Sequence, residues 1–314
     1  MEAEPKLAEL PGEVTHKEAL ALIDSSELAK LKELADRPAL LHLAGHLAIL
    51  TATGYTVLQS SGPAWLALSI IHGIALVFLF TPLHESIHGT AFRRAWLNRI
   101  VAGIAGFLLV LPPRYFRYFH LAHHRFTQDP AHDPELETPK PGTWLGYGAY
   151  LSGLPYWKGA LVTLVNNALE RKIGSYVPSP AVPKLVFEAR AYLLAYAATA
   201  FAGLAMSLDW LLYLWMIPAL LGQPFLRGYL LAEHAACPLV ADMLANTRTT
   251  FCNGAIRFLA WNMPHHTAHH AMPTVPFHRL PQLSTLLESR LKATARGYAD
   301  AHRQIRRAWE TRKA

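Results

Sequence analysis

Apolar and polar residues in this chain alternate over whole helices rather than single turns. After a charged opening, residues 38–58 and 63–83 form two apolar runs, each near the roughly 20 residues that a bilayer core requires. The link between them, Gln59-Ser60-Ser61-Gly62, is short, polar and uncharged, which predicts a tight helical hairpin. A second pair of runs, 185–208 and 209–231, follows with almost no link. Residues 97–111 are apolar but too short to cross, and Pro112-Pro113 stops them, so a re-entrant or interfacial helix is expected there. Before the first span, Ser25-Ser26-Glu27 leading into Leu28, Leu31 and Leu34 predicts a short amphipathic helix on the membrane surface. Residues 125–185 are rich in Pro, Gly and aromatics. Trp144, Tyr147, Tyr150, Tyr156 and Trp157 there suggest an interfacial belt or a cap.

The expected architecture is an all-α integral membrane protein with four transmembrane helices in two hairpins and a cytoplasmic helical cap. Three segments are expected: an N-terminal stretch 1–37, a membrane domain 38–290 and a basic C-terminal tail 291–314. Composition agrees, since 52% of the 314 residues are hydrophobic and only 16% charged, where soluble domains average nearer a quarter. The net charge of +7 changes the picture little. Its Lys and Arg flank apolar runs instead of forming one basic stripe, which excludes nucleic acid as partner and sets orientation instead. Arg93, Arg94 and Arg99 follow the second span, the tail is basic, and the far-side loops lack Lys and Arg. Both termini and the region after each hairpin are therefore expected on the cytoplasmic side. The opening residues lack the apolar core of a signal peptide. Cys237 and Cys252 form no CxxC and are expected as reduced thiols; His16 is expected at the solvated surface.

The candidate chemistry lies in the histidines. His120-Leu121-Ala122-His123-His124 and His266-Thr267-Ala268-His269-His270 share one spacing, and a looser pair, His84 and His88, precedes both. On a helix, positions i, i+3 and i+4 share a face, so each triple aims three imidazoles one way. Neutral imidazole is the commonest metal ligand. With His234 added, these histidines outnumber the about four ligands one zinc takes, so two metals are the economical reading. An all-nitrogen set suits iron, zinc or copper, whereas calcium and magnesium want oxygen. His42, His46 and His72 lack neighbouring ligands in sequence and are expected to hydrogen-bond between helices. Arg227 and Glu233, near one end of the fourth span, are costly unless paired or facing a cavity, or else snorkel to the interface.

These motifs resemble the histidine boxes of the membrane-bound fatty acid desaturase and hydroxylase superfamily, HxxxH, HxxHH and HxxHH. They stand here as His84–His88, His120–His124 and His266–His270, with the family's extra histidine at His234. The resemblance covers roughly residues 38–290. It implies two non-haem irons, O2 as co-substrate, and oxidation of an unactivated C–H bond in a lipidic substrate. Desaturation of a fatty acyl chain or hydroxylation of an acyl, carotenoid or other hydrophobic molecule would follow. The HxxxH form of the first box is closer to acyl-lipid enzymes than to acyl-CoA desaturases. The asparagine that some acyl-CoA members carry four residues before the extra histidine is Leu230 here. No fused cytochrome motif HPGG is present, so electrons are expected from a separate donor, a ferredoxin or a b-type cytochrome with its reductase. Glu85, Asp129, Asp133, Glu233 and Asn262 are the candidates for orienting the rings; His265 is expected to face elsewhere.

Two rival readings remain at this stage. His84-Glu85-Ser86-Ile87-His88 also fits HExxH, the zinc-protease motif with Glu as general base, but that leaves both HxxHH triples unexplained. A metal transporter would place its ligands along a path in mid-membrane rather than at one face.

Overall fold

The computed structural model describes residues 14–311. The parts of the expected N-terminal segment and basic tail at 1–13 and 312–314 lie outside them. Two compact units interleave along the sequence. One comprises Ala35–Phe119 and Trp144–Arg227, the other the described residues up to Leu34, His120–Thr143 and the described residues from Gly228 onward.

The first unit carries the apolar helices. Asp36–Leu58, Gly62–His88 and Ser179–Ala205 are long and apolar enough to cross a membrane. The first and third of these bury only 17% of their most apolar window. Leu41, Leu47, Phe187, Leu194 and Leu204 instead point outward, and such large apolar surfaces mark contact with lipid in a chain of this composition. The Ala95–Leu109 and Pro113–Phe126 helices form a pair bent by 95° at Pro112-Pro113, the geometry of a broken span or a re-entrant loop. If that pair counts as one span, the number of candidate spans among the described residues rises from three to four.

The expected fourth span at 209–231 is not such a helix. It opens with a π-helical turn, Leu212–Met216, and continues as Ile217–His234 with Pro224 inside. Proline removes a helix hydrogen bond, and a π turn disturbs the period, so this element is irregular where a plain span would be regular. Its packing is nonetheless close. A Cβ on Gly73 would collide with the Pro218 carbonyl, and one on Gly222 with the Gly73 carbonyl, so two backbones touch where only glycine fits. His46 Nε2 lies 2.8 Å from the Ala75 carbonyl, and His72 bridges Thr53 Oγ1 at 2.8 Å to the Leu214 carbonyl at 3.0 Å. These are the interhelical hydrogen bonds expected of them.

The aromatic stretch after residue 143 is helical, with Trp144–Leu151 and Leu154–Ala168. Its Tyr156 donates to the Leu109 carbonyl at 2.6 Å. Tyr196 and Trp215 donate to the Phe107 and Leu108 carbonyls, so aromatic side chains satisfy the orphan C-terminal carbonyls of the Ala95–Leu109 helix.

The second unit is not wholly α. Thr249–Phe251 and Thr294–Arg296 pair as a parallel two-stranded ladder in described residues that are otherwise mostly helical, as expected; apolar periodicity could not signal three-residue strands. Helices His16–Ala21, Ser25–Leu31 and Tyr298–Thr311 belong to this unit. His16 is not a solvated surface residue. Its backbone N–H donates to Asp242 Oδ1 at 2.8 Å, and Lys292 Nζ reaches Asp242 Oδ2 at 2.9 Å. Burial pushes the Asp242 carboxyl up, but the hydrogen bonds from His16 and Lys292 outweigh it and hold the group well below the carboxylate range. A lowered folded-state pKa gives stability that is present above the ordinary value of 3.8 and is lost as pH falls through the lower folded value. Asp242→Asn is therefore expected to lower the melting temperature in detergent at pH 7, by the equivalent of about 1–3 kcal/mol. The gap between parent and variant should close as the pH is taken below about 4; a gap independent of pH would show that the charge is not its source.

Candidate metal centre

Three elements of the second unit bring seven histidines together. The last turns of Pro113–Phe126 carry His120, His123 and His124. Ile217–His234 ends on His234, and the short His266–Ala271 helix carries His266, His269 and His270. The i, i+3, i+4 spacing of each triple turns its rings to one side, and all seven are buried.

The rings fall into two groups. In the first, the ligand atoms of His123, His234 and His270 lie within 4.8 Å of one another. His234 Nε2 stands 3.2 Å from His123 Nε2 and 3.1 Å from His266 Nε2. In the second, His124 Nε2 stands 2.9 Å from His120 Nε2 and 3.1 Å from His269 Nε2. The groups abut, with the His124 and His270 rings stacked at 4.1 Å.

The outer nitrogens decide what the inner ones carry. His123 Nδ1 faces the Asp133 carboxylate at 2.9 Å, and His234 Nδ1 faces the Asn246 carbonyl at 3.2 Å. Both partners only accept, so both Nδ1 atoms hold the proton. His270 Nδ1 lies 3.1 Å from Thr127 Oγ1, whose own hydrogen goes to the His123 carbonyl at 2.7 Å; the hydroxyl therefore accepts here too. His266 Nδ1 is 3.4 Å from Glu233 Oε1. In the neutral rings of His123, His234 and His270 each Nε2 is thus left as a bare lone pair, and His270 Nε2 has no hydrogen-bond partner. Lone pairs converging at this range repel one another unless a cation lies among them. Nitrogens about 2.1 Å from a shared ion sit about 3.0 Å apart on octahedral edges and about 3.4 Å apart on tetrahedral ones, the range seen here. The residues fit a pair of metals bound by nitrogen.

Acidic groups surround the first group. Glu135 Oε1 is 3.9 Å from His123 Nε2, and its other oxygen is 3.3 Å from Lys140 Nζ. Burial pushes the Glu135 carboxyl up, and the Lys140 ammonium opposes it. Gln128, at φ +64°, turns the chain after the second box and donates its amide to the His234 carbonyl at 2.8 Å.

The other sequence candidates sit as follows. In the membrane unit, His84 and His88 lie one turn apart with ring centroids at 5.0 Å, and the buried Glu85 accepts from Thr90 Oγ1 at 3.1 Å, 4.0 Å from His84 Nδ1. Asp129 pairs with His132, which is outside the boxes, at 2.8 Å. Asn262, at φ +57°, donates to the Phe277 carbonyl at 3.2 Å and shapes the loop before the third box. His265 stands at the N-cap of the box helix; burial and then Arg257 push it down to about 4, so its ring is neutral at physiological pH. Sequence reasoning missed Thr127, Gln128, Glu135 and the Asn246 carbonyl. Their only signal was closeness to a box or to His234.

A segment that runs through all three boxes also matches known proteins. The sequence profile of the fatty acid desaturase family covers residues 60–302. The sphingolipid delta(4)-desaturase DES1 of Drosophila melanogaster is 24% identical over 255 residues, spanning 78% of this chain and 73% of its own length. Long apolar helices, two buried histidine groups and a profile match over most of the chain agree: this protein belongs to the fatty acid desaturase family.

Proposed function

We propose that this protein uses O2 and two non-haem irons to desaturate a fatty acyl chain of a membrane lipid. The observation that carries the reading is the convergence of seven buried rings at Nε2–Nε2 distances of 2.9–3.2 Å, with the Nδ1 atoms of His123, His234 and His270 held by acceptors. Bound iron supplies O2 activation for cleavage of an unactivated C–H bond, with two electrons from a separate ferredoxin or b-type cytochrome and its reductase. His123, His234, His266 and His270 serve one metal; His120, His124 and His269 serve the other, with His84 and His88 assigned to the set by the first box. Asp133 holds His123 in register, and the Glu233 and Glu85 carboxylates lie 3.4 Å from His266 Nδ1 and 4.0 Å from His84 Nδ1, where they favour a proton on those nitrogens. Asp129 and Asn262 act on the loops that present the boxes. The relative named as a desaturase supports a double bond as product. Arg93, Arg94, Arg99 and the basic C-terminal segment support a cytoplasmic placement of both termini and the histidines.

The test is metal analysis and lipid profiling of one preparation, purified in detergent from cells expressing the protein. Two irons per chain, with a new double bond that requires O2, is the expected result. An added hydroxyl would replace desaturation by hydroxylation. Zinc alone, with lipids unchanged, would sink the oxidative reading and return His84-Glu85-Ser86-Ile87-His88 to the protease motif.

A further inference from the structure

The charge that sequence reasoning singled out at Arg227 is not used by the metal centre. In the membrane unit its guanidinium stacks 4.3 Å over the Tyr156 ring, and its Nε donates to Gln223 Oε1 at 3.1 Å. No carboxylate among the described residues pairs with it. Gln223 is fully buried, and because its oxygen is committed to Arg227, its orientation is set: the amide nitrogen is the free end. That Nε2 has no partner. The indole nitrogen of Trp157, next to Tyr156, is also buried without one. Two features fix the arrangement. Tyr156 is tied down by its own bond to the Leu109 carbonyl, and a Cβ on Gly153, at φ +73°, would strike the Gln223 side chain, so helix and side chain meet tightly there.

A buried amide with two unused hydrogens costs free energy, and so does an uncompensated cation in an apolar unit. Both costs are relieved by one ligand type, an anionic oxygen. We infer that Gln223 and Arg227, braced by Tyr156, form a subsite for an anionic oxygen at the polar end of the lipid substrate, a phosphate or a carboxylate. Only the identification of this ligand as the substrate rests on the desaturase reading.

The test is binding without turnover. Parent protein in detergent is titrated with dioleoyl phosphatidylglycerol, oleate and uncharged dioleoylglycerol, which share one acyl chain. A preference of about tenfold or more for an anionic probe is expected, and which anion is preferred separates phosphate from carboxylate. Gln223→Glu keeps volume and the acceptor for Arg227 but turns the free donor into a negative oxygen; it should abolish the preference. Arg227→Lys keeps the charge and should retain part of it, providing a second variant should the first not fold. In turnover, Gln223→Glu should raise KM for the anionic lipid about tenfold with kcat little changed, a split that general loss of structure would not produce. Equal binding of charged and uncharged probes by the parent, or a preference that survives in Gln223→Glu, overturns the subsite. Anion preference in a parent that oxidises no lipid would overturn the proposed function and leave the subsite standing.

Discussion

On the proposed di-iron reading, His234→Ala is expected to lose one iron of the two and at least about 10³-fold of its lipid oxidation. Replacing residues that merely hold a ligand ring costs about 10–100-fold in metal affinity, so removing a ring at the centre of a group must cost more. His234 is that centre, since its Nε2 is within 3.2 Å of both His123 Nε2 and His266 Nε2. The loss should be selective. The His120, His124 and His269 group makes its short contacts without His234, so the second iron should stay. Iron content read by elemental analysis separates the outcomes: one iron left per chain agrees with two adjacent sites, whereas loss of both would show a single cooperative centre. An unchanged content would remove His234 from the ligand set. His265→Ala, by contrast, should keep both irons, because that ring sits at the helix N-cap with neither nitrogen engaged.

How much of this was legible beforehand depended on how far each feature lies from a repeating pattern. The boxes were visible because i, i+3, i+4 spacing survives in the sequence and a helix translates it directly into a shared face. The spans at Asp36–Leu58 and Ser179–Ala205 were visible for the same kind of reason, a long run with few charges. The irregularity of the Leu212–His234 element was not legible because its composition is that of a span, while a π turn and Pro224 are backbone events that hydropathy does not register. The Leu154–Ala168 helix was hidden by the Pro and Gly around it: Pro155 sits in its first turn, where proline starts helices, and Gly153 precedes it in a left-handed turn. Partners of the rings divided similarly. Asp133 and Glu233 were nameable as carboxylates near histidines. The Asn246 acceptor is a backbone carbonyl, which every residue has, and Thr127 is one hydroxyl among many; only the folded chain shows which of them meets a ring.

The ring-holding residues should repay removal with weaker metal binding and little else. Asp133 holds His123 Nδ1 through Oδ1, the Gln128 N–H through Oδ2 at 2.8 Å, and the Glu135 N–H at 2.9 Å. Asparagine has only one accepting oxygen, so in Asp133→Asn one of these donors must face an amide NH2. If the oxygen stays with the ring, the turn at Gln128 loosens, and with it the amide that Gln128 gives to the His234 carbonyl. If it stays with the turn, the His123 proton is no longer held on Nδ1 and Nε2 is no longer kept bare. Either way the iron affinity of the first group should fall about 10–100-fold. Thr127→Val keeps the shape of that side chain and deletes the acceptor of His270, with a fall of similar size. Because the two rings serve one group, the double variant should lose less than the product of the single effects. Competition against a chelator of known strength measures all three. The thermal stability of iron-free protein should change far less than affinity does, since the deleted bonds matter chiefly through the direction in which each ring points. A drop in iron-free stability as large as the loss of affinity would mean that Asp133 and Thr127 hold the loop rather than the ligands.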